Sequence, residues 1–494
     1  MAVVPSSAQV DGHTALSERP SRGGVLAAEK ASDSDSSAVA ETEFKEGGYG
    51  WAVVAACSIV NAHTWGLNSS YAVFLAYYLR SGALGGSSPL VFAFVGGLSI
   101  SISLLVSPLV TWCIGRYGTK PTFWIGVVFE AASFIGASFA TRVWQLLLSQ
   151  GICFGIGLGF CFTSTVGLVP QWFTKKRSFA NGIAAAGSGF GGLTYSLATN
   201  AMITNLGLAW AFRILAILAF VVNGACSLVL KDRNKAVGAK HVPFHVDLFK
   251  LKEYWMFLGW GFFSLLSYVV VVFSIADYAR QVGFSASQGS LVAAMLNLSQ
   301  GLGRPLIGLA SDRVGRINVA GLGTLIAGTA AFLLWILAGK NFAGLIVYSL
   351  FGAFAGSIWP CVAPVGAEVV GLQLLPSALS IYWLALVLPA TFAEVIALEL
   401  RTSGVNGYLN VQLFTGVMFM IAFIFIWFLR SWKLEQIDLL ATTTTTTTTT
   451  TTETETENPD ATTSTSITTR PSSTKTATGK FNSYIKNMFV FRRV

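Results

Sequence analysis

Twelve apolar runs divide this chain, beginning near Trp51, Pro89, Thr119, Trp144, Phe179, Leu208, Tyr254, Ala286, Asn318, Phe342, Pro376 and Tyr408. Each is roughly 20 residues or longer, the length a helix needs to cross the hydrocarbon of a bilayer. Short charged loops separate them, and only 11% of residues are charged, against about 25% in an ordinary soluble domain. The reading is an all-α integral membrane protein of twelve transmembrane helices. No apolar run precedes Trp51, so no cleavable signal peptide is expected and the first span serves as the signal.

Lysine and arginine fall unevenly on alternate loops. One set holds Arg116 and Lys120, then Lys175, Lys176 and Arg177, then six from Lys231 to Lys252, then Arg313 and Arg316, thirteen in all. The other holds five: Arg80, Arg142, Arg280, Lys340 and Arg401. The positive-inside rule puts the first set, and with twelve spans both termini, in the cytoplasm. The net charge of +9 follows from this orientation, and nucleic-acid binding is not needed to explain it. All six cysteines lie within spans, which reads as helix packing and not as a disulfide framework.

The longest polar connection between spans divides them six and six. The expected organisation is a disordered cytoplasmic tail over 1–46, a six-helix bundle over 47–230, a cytoplasmic linker over 231–253, a second bundle over 254–433 and a low-complexity cytoplasmic tail over 434–494. Eleven threonines, Thr442 to Thr452, predict disorder and offer hydroxyls for phosphorylation. Beyond them Phe481, Tyr484, Ile485, Met488 and Phe489 recur at helical spacing among Lys480, Lys486, Arg492 and Arg493, the pattern of an interfacial helix on the inner leaflet. "GRYGTKP" (115–121) and "SDRVGRIN" (311–318) echo each other in the two halves, making Gly118 and Gly315 equivalent under a parallel repeat. Such symmetry points to a rocking carrier with its site between the halves.

Within "LNLSQGLGRPLIGLASDRVGR", Arg304 sits eight residues before the charged turn, about 12 Å inside a helix. A charge at that depth defaults to function. In the turn, Gly308 permits close helix contact, Asp312 can pair with a cation, and Arg313 and Arg316 can reach helix C-terminal carbonyls, closing one end. Arg116 and Lys120 occupy the corresponding turn of the first half and join this expected gate. Glycines Gly151, Gly155, Gly159, Gly182, Gly187 and Gly189 read as close helix packing.

Several segments carry a resemblance. "GLASDRVGR" resembles the Gly-x-x-x-Asp-Arg-x-Gly-Arg turn of the major facilitator superfamily. "EGGYGWAVV" (46–54), "WFTKKRSFANGIAAAGS" (172–188), "GRYGTKP" and "GRPLIG" resemble motifs of its monocarboxylate transporter (monocarboxylate porter) family. The threonine-rich tail and the wording around Arg304 are most similar to the fungal branch, which implies carriage of monocarboxylates, riboflavin or other organic solutes. The resemblance makes Arg304, followed by Pro305, the substrate-anion and coupling residue. Two positions depart from it. Gln300 stands where proton-coupled members have an aspartate, and Ser69 where they have a first-span lysine.

The candidate substrate-binding residues are therefore Arg304, Trp359, Trp65, Asn68 and Ser69, with a guanidinium able to fork onto a carboxylate and deep tryptophans able to stack on a flat anion. Tyr71, Tyr268, Tyr382 and Trp383 are further aromatics of these spans. The structural alternative for Arg304 is an ion pair with Glu130, Glu394 or Glu399. His63 and Glu130 are candidates to carry a coupling proton in symport, the alternative for each being a packing role. No phosphate-binding loop, metal-ligand spacing or nucleophile elbow is present, so neither an enzyme nor a cofactor is expected. The reading is a secondary active transporter of a small organic solute, a carboxylate anion, by alternating access. Riboflavin carriage or secondary-metabolite export on the same fold is the alternative, and a receptor on this scaffold ranks behind both. Its partners are the organic anion, protons and the lipid bilayer. The plasma membrane is the expected location, with the vacuolar membrane second.

Overall fold

The computed structural model describes residues 46–81, 89–339, 341–402 and 406–454; the tail before 46, Lys340 and the expected interfacial helix lie outside them. Twelve helical rods follow one another among the described residues. In the first half α1 is Tyr49–His63, continued by Trp65–Ser69 and Tyr71–Ser81, and α2 is Pro89–Leu105 with Ser107–Tyr117. Then come α3 (Thr119–Ser138), α4 (Val143–Leu146, a π-helical stretch Leu147–Cys153, and Phe154–Val166), α5 (Arg177–Leu206) and α6 (Leu208–Val229). The second half has α7 (Lys252–Gln281), α8 (Ala286–Val314) and α9 (Arg316–Ala330, extended by π-helical Ala331–Trp335 and Ile336–Ala338). It ends with α10 (Phe342–Leu350, Gly352–Ala355 and the helix from Ile358 to the kink at Gly371), α11 (the rest of that helix to Ala385, then Val387–Leu400) and α12 (Leu409–Thr454).

These rods start within two residues of the expected spans except at the eleventh, where the turn falls at Gly371 (φ +76°) and not at Pro376. The apolar run is unbroken there, and only a left-handed glycine reverses it. Among the described residues seven stretches are each long and apolar enough to cross a membrane, or eight when the pair Phe94–Leu105 and Ser107–Tyr117, bent by 43°, counts as one. Large apolar side chains such as Leu197, Leu228 and Leu337 stand exposed on the outside, as lipid contact requires. Gly118 (φ +90°) and Gly315 (φ +118°) each end one helix and start the next in the two related turns.

α1 breaks at Thr64, α2 at Val106 ahead of Pro108, α10 at Gly356–Ser357 and α11 at Leu386 ahead of Pro389. These interruptions lie part-way along rods that flank the contact between the halves. Irregular backbone at membrane depth persists where protein or a cavity covers it.

Within the first half α1 packs on α5, and α3 on α4 and α6; within the second α12 packs on α7 and α9. The most extensive pairing of all, α5 with α8, joins the halves, and α5 with α10 and α2 with α11 add to the seam. Small residues let α5 approach on both sides. A side-chain carbon on Gly187 would lie 1.8 Å from the Ser58 carbonyl oxygen of α1, and one on Gly308 would lie 2.3 Å from that of Ser178 at the start of α5.

The connection between the halves is strapped down. Gln171 Nε2 donates to Asn234 Oδ1 (2.9 Å), and Asn234 Nδ2 donates to Thr119 Oγ1 (3.2 Å). Lys240 N donates to the Gln373 carbonyl (2.8 Å), Val242 N to Ser377 Oγ (3.0 Å), and Ser380 Oγ to the Pro243 carbonyl (2.9 Å). At the other end of the chain α12 continues beyond 433 to Thr454, through the whole of the threonine run. Extending an existing helix adds one hydrogen bond per residue without the cost of a new nucleus, which offsets the low helix propensity of threonine.

Gly187→Ala strains contacts inside one half and Gly308→Ala strains only the contact between halves. The first is expected to cost about 1–3 kcal/mol of stability, read as a lower melting temperature in detergent. The second leaves melting nearly unchanged and increases the labelling of a cysteine placed at Ser178.

Candidate functional site

Arg304 lies on α8 with 4% of its surface exposed. Its guanidinium crosses to the first half, where Nη1 donates to the Ala185 carbonyl of α5 (2.8 Å) and to the Ser188 hydroxyl. Nη2 donates to Gln300 Oε1 (2.6 Å), which also accepts from the Tyr268 hydroxyl of α7 (2.8 Å). The remaining Nε and the Gln300 Nε2 are buried without partners. No ion pair among the described residues includes Arg304. The structural ion pair is thereby corrected: Glu130 accepts from Asn223, Glu394 from Ser274, and Glu399 is exposed. A buried cation held only by neutral acceptors keeps a large uncompensated desolvation cost.

Aromatic rings continue the site from Tyr268. Its ring is 5.9 Å from that of Trp359 on α10, which lies 5.3 Å from Trp65 of α1 and 6.1 Å from Trp383 of α11, stacked at 16°. Phe162 of α4 closes the group at 5.4 Å from Trp65 and 5.1 Å from Trp383. The indole nitrogens of Trp65, Trp359 and Trp383 are all buried and unpartnered. Together with Arg304 and Gln300, the unsatisfied nitrogens of this cluster are all hydrogen-bond donors, contributed by both halves. Tryptophan N–H groups ordinarily find an acceptor when buried. Sequence reasoning missed Phe162, which has no mark distinguishing it from packing, and Ser188, one hydroxyl in a glycine-rich run.

The other expected site residues make separate contacts. Asn68 accepts from Ser99 Oγ of α2 (2.8 Å) and faces the interior of the first half, while Ser69 is exposed and donates to the Trp65 carbonyl (3.0 Å). His63 is half-buried, its Nδ1 2.8 Å from the Ile59 carbonyl oxygen and its ring edge-on to Tyr195 at 5.4 Å. Glu130 is wholly buried in α3; Asn223 Nδ2 of α6 donates to its Oε2 (2.9 Å), and its Oε1 has no partner.

At one end of the seam, carboxylates hold the start of α5. The free N–H groups there form a positive helix terminus. Asp312 Oδ1 accepts from Ser178 N (2.9 Å) and Oδ2 from Phe179 N (2.8 Å), while Glu46, preceding α1, accepts from Lys176 N (2.7 Å). Arg316 joins Asp312 at 3.5 Å, Glu368 of α10 at 2.9 Å and the Thr174 carbonyl at 2.6 Å. Gly308, Asp312 and Arg316 therefore act together. Arg313 and Arg116 are exposed and make no side-chain bond among the described residues, and Lys120 reaches only the Leu228 carbonyl of its own half (3.4 Å). Glu46 and Glu368 are the partners that the turn motif alone did not name.

Comparison with known proteins places this arrangement. Residues 54–275 match the family profile described as Major Facilitator Superfamily. The Saccharomyces cerevisiae protein named probable transporter MCH2 is 32% identical over 405 residues, covering 80% of this chain and 85% of that one. The fujikurins efflux protein of Gibberella fujikuroi is 26% identical over 409 residues, covering 81% and 87%. Among solved structures, the transporter FucP in its outward conformation has a TM-score of 0.61 at 13% identity, covering 77% of this chain and 98% of its own. The proton:xylose symporter XylE has a TM-score of 0.61 at 15% identity, covering 77% and 95%. With the helical fold in two halves and a relative similar along most of both chains, this multi-pass membrane protein belongs to the major facilitator superfamily of transporters.

Proposed function

We propose that the protein is a secondary active transporter of the monocarboxylate-porter type, moving an organic carboxylate between the two halves by alternating access. The observation that carries this reading is the donor-only cluster of Arg304, Gln300, Trp65, Trp359 and Trp383. A carboxylate brings acceptors to unsatisfied N–H groups and a negative charge to a buried guanidinium, and the Arg304 fork suits its two oxygens. In this reading the chain has twelve spans with cytoplasmic termini, bundles over 47–230 and 254–433, and a linker over 231–253.

The substrate would displace the Ala185 carbonyl and Ser188 from Arg304, exchanging neutral contacts between α5 and α8 for charge-assisted ones. That loosens the seam on which closure depends. At the cytoplasmic end Asp312 would leave the α5 terminus as Gly308 parts from Ser178, opening the way inward. A larger substrate, a flavin or an exported secondary metabolite, is the second reading. The ring-lined wall and the similarity to a named efflux protein support it.

Uptake of a labelled short monocarboxylate into proteoliposomes, with and without an inward proton gradient, tests the proposal. Gradient-stimulated uptake is expected, falling about 100-fold in Arg304→Ala, as the loss of about 2–3 kcal/mol of charge-assisted bonding requires. Uptake no greater than in empty vesicles, with the protein folded and inserted, removes short monocarboxylates and leaves the larger anions.

Asp312→Asn keeps the shape and removes the charge at the α5 terminus. A loss of about 2 kcal/mol shifts the closed-to-open ratio about 30-fold. Faster cysteine labelling at position 178 from the cytoplasmic side is the expected result, and unchanged labelling counts against the clamp.

A further inference from the structure

The carboxylates within the helices differ in where they stand. Glu130 is enclosed between α3 and α6, and His63 faces α5; both have partners within the first half. Glu394 is on α11, the rod that meets α2 across the seam and α7 within its own half. It is half-buried, and both its carboxylate oxygens lie 3.2 Å from the Ser274 hydroxyl of α7. No ion pair among the described residues includes it.

One turn before Glu394, Thr391 Oγ1 is 2.7 Å from Ser101 Oγ of α2, a direct contact between the halves. Further toward the Asp312 end, Ser107 Oγ donates to the Ser380 carbonyl (2.9 Å), so α2 and α11 run antiparallel. The α2 residue level with Glu394 is therefore Gly97, whose carbonyl accepts from Ser101 Oγ (3.0 Å). A side-chain carbon added to Gly97 would meet nothing within 4 Å. Open space thus lies beside α2 at Gly97, one turn from the Ser101–Thr391 contact and on the side away from the Asp312 closure. Glu394 stands beside that gap.

Its charged surroundings are few. From α7 comes Asp277, one turn from Ser274, which is engaged by Arg401 (2.6 Å) at the end of α11 and by the Tyr408 hydroxyl (2.5 Å) ahead of α12. From α2 the described facing residues, Gly97 and Ser101, carry no titratable group.

We propose that Glu394 takes up and releases the coupling proton. This rests on the reading above of the chain as a proton-coupled carrier of an anion. The carboxylate takes a proton from water in the gap and becomes a neutral acid hydrogen-bonded to Ser274. The α2–α11 seam then closes without enclosing an unpaired charge, which would be costly at that depth. When the opposite end opens, the acid returns the proton to water and is a carboxylate again. One proton moving with one monovalent anion leaves no net charge transferred. Glu394 differs from His63 and Glu130 in standing beside the contact that changes as the halves rock.

Two measurements on the full-length reconstituted protein test this. In a Gly97→Cys background, labelling by a membrane-impermeant maleimide is followed at acidic and neutral pH, with and without Glu394→Gln. Acid is expected to slow labelling several-fold beyond the ionisation of the thiol itself. The glutamine variant, fixed in the neutral shape, is slow at both pH values apart from that ionisation. An equal pH ratio in the two proteins overturns the proposal, and this readout needs no substrate. In transport, Glu394→Gln is expected to keep exchange of labelled anion across the vesicle and to lose the accumulation of up to about tenfold that a one-unit pH gradient sustains. Retained accumulation overturns the proposal. Labelling that depends on Glu394, in a protein that carries none of the anions tried, upholds the proton site and removes the anion reading alone.

Discussion

The first turn of α5 is the point on which the closed arrangement depends. Its unpaired N–H groups need acceptors, and they find them in Glu46, ahead of α1, and Asp312, at the end of α8. One acceptor belongs to the same half as α5 and the other to the opposite half. In the proposed cycle the first would hold α5 in its bundle throughout, and the second would hold it only while that end is shut. Because both bonds act on a helix terminus, the contact rests on charge and direction more than on apolar packing, and in the proposed cycle it forms and breaks without unfolding either half.

Arg304 sits further along the same seam and imposes the opposite condition. Asp312 and its α5 partners satisfy each other, whereas Arg304, Gln300 and three indoles leave N–H groups over. Unsatisfied buried donors make the closed, empty state less stable than its packing alone would suggest. The molecule thus has a well-matched lock at one end of the α5–α8 interface and a deliberately unmatched centre. A ligand supplying acceptors changes the balance between them, which is how a bound solute can bias a two-state equilibrium.

Much of the fold was legible in the sequence because membrane helices announce themselves by length and polarity. The Gly118 and Gly315 turns, the closeness at Gly308 and a cation beside Asp312 could be read from residue types whose physical options are few, whereas the hold of Asp312 on the α5 terminus could not. The misplaced eleventh span shows the limit: Pro376 looked like a start signal, but Gly371 made the turn inside an unbroken apolar run. Members of the candidate cluster were legible when their chemistry was costly, as for Arg304 buried on α8, and illegible when it was common, as for Phe162 and Ser188. Asn68 and Ser69 lie in the expected span, where Asn68 bonds Ser99 inside the first half and Ser69, one turn beyond Trp65, stands beside Gly192 of α5; residue type alone did not separate these two positions.

The strap between the halves has a mechanical meaning. Asn234 is bonded to Thr119 on one side and Lys240 to the Gln373 carbonyl on the other. A segment of six residues reaches at most about 20 Å when fully extended. While both anchors hold, that contour length is a leash on the separation of α3 from α11, and a wider stroke must first peel one anchor away. In the proposed rocking cycle the amplitude would therefore be metered by the number of residues between two hydrogen bonds, and lengthening or shortening this segment would retune it without touching the Arg304 cluster.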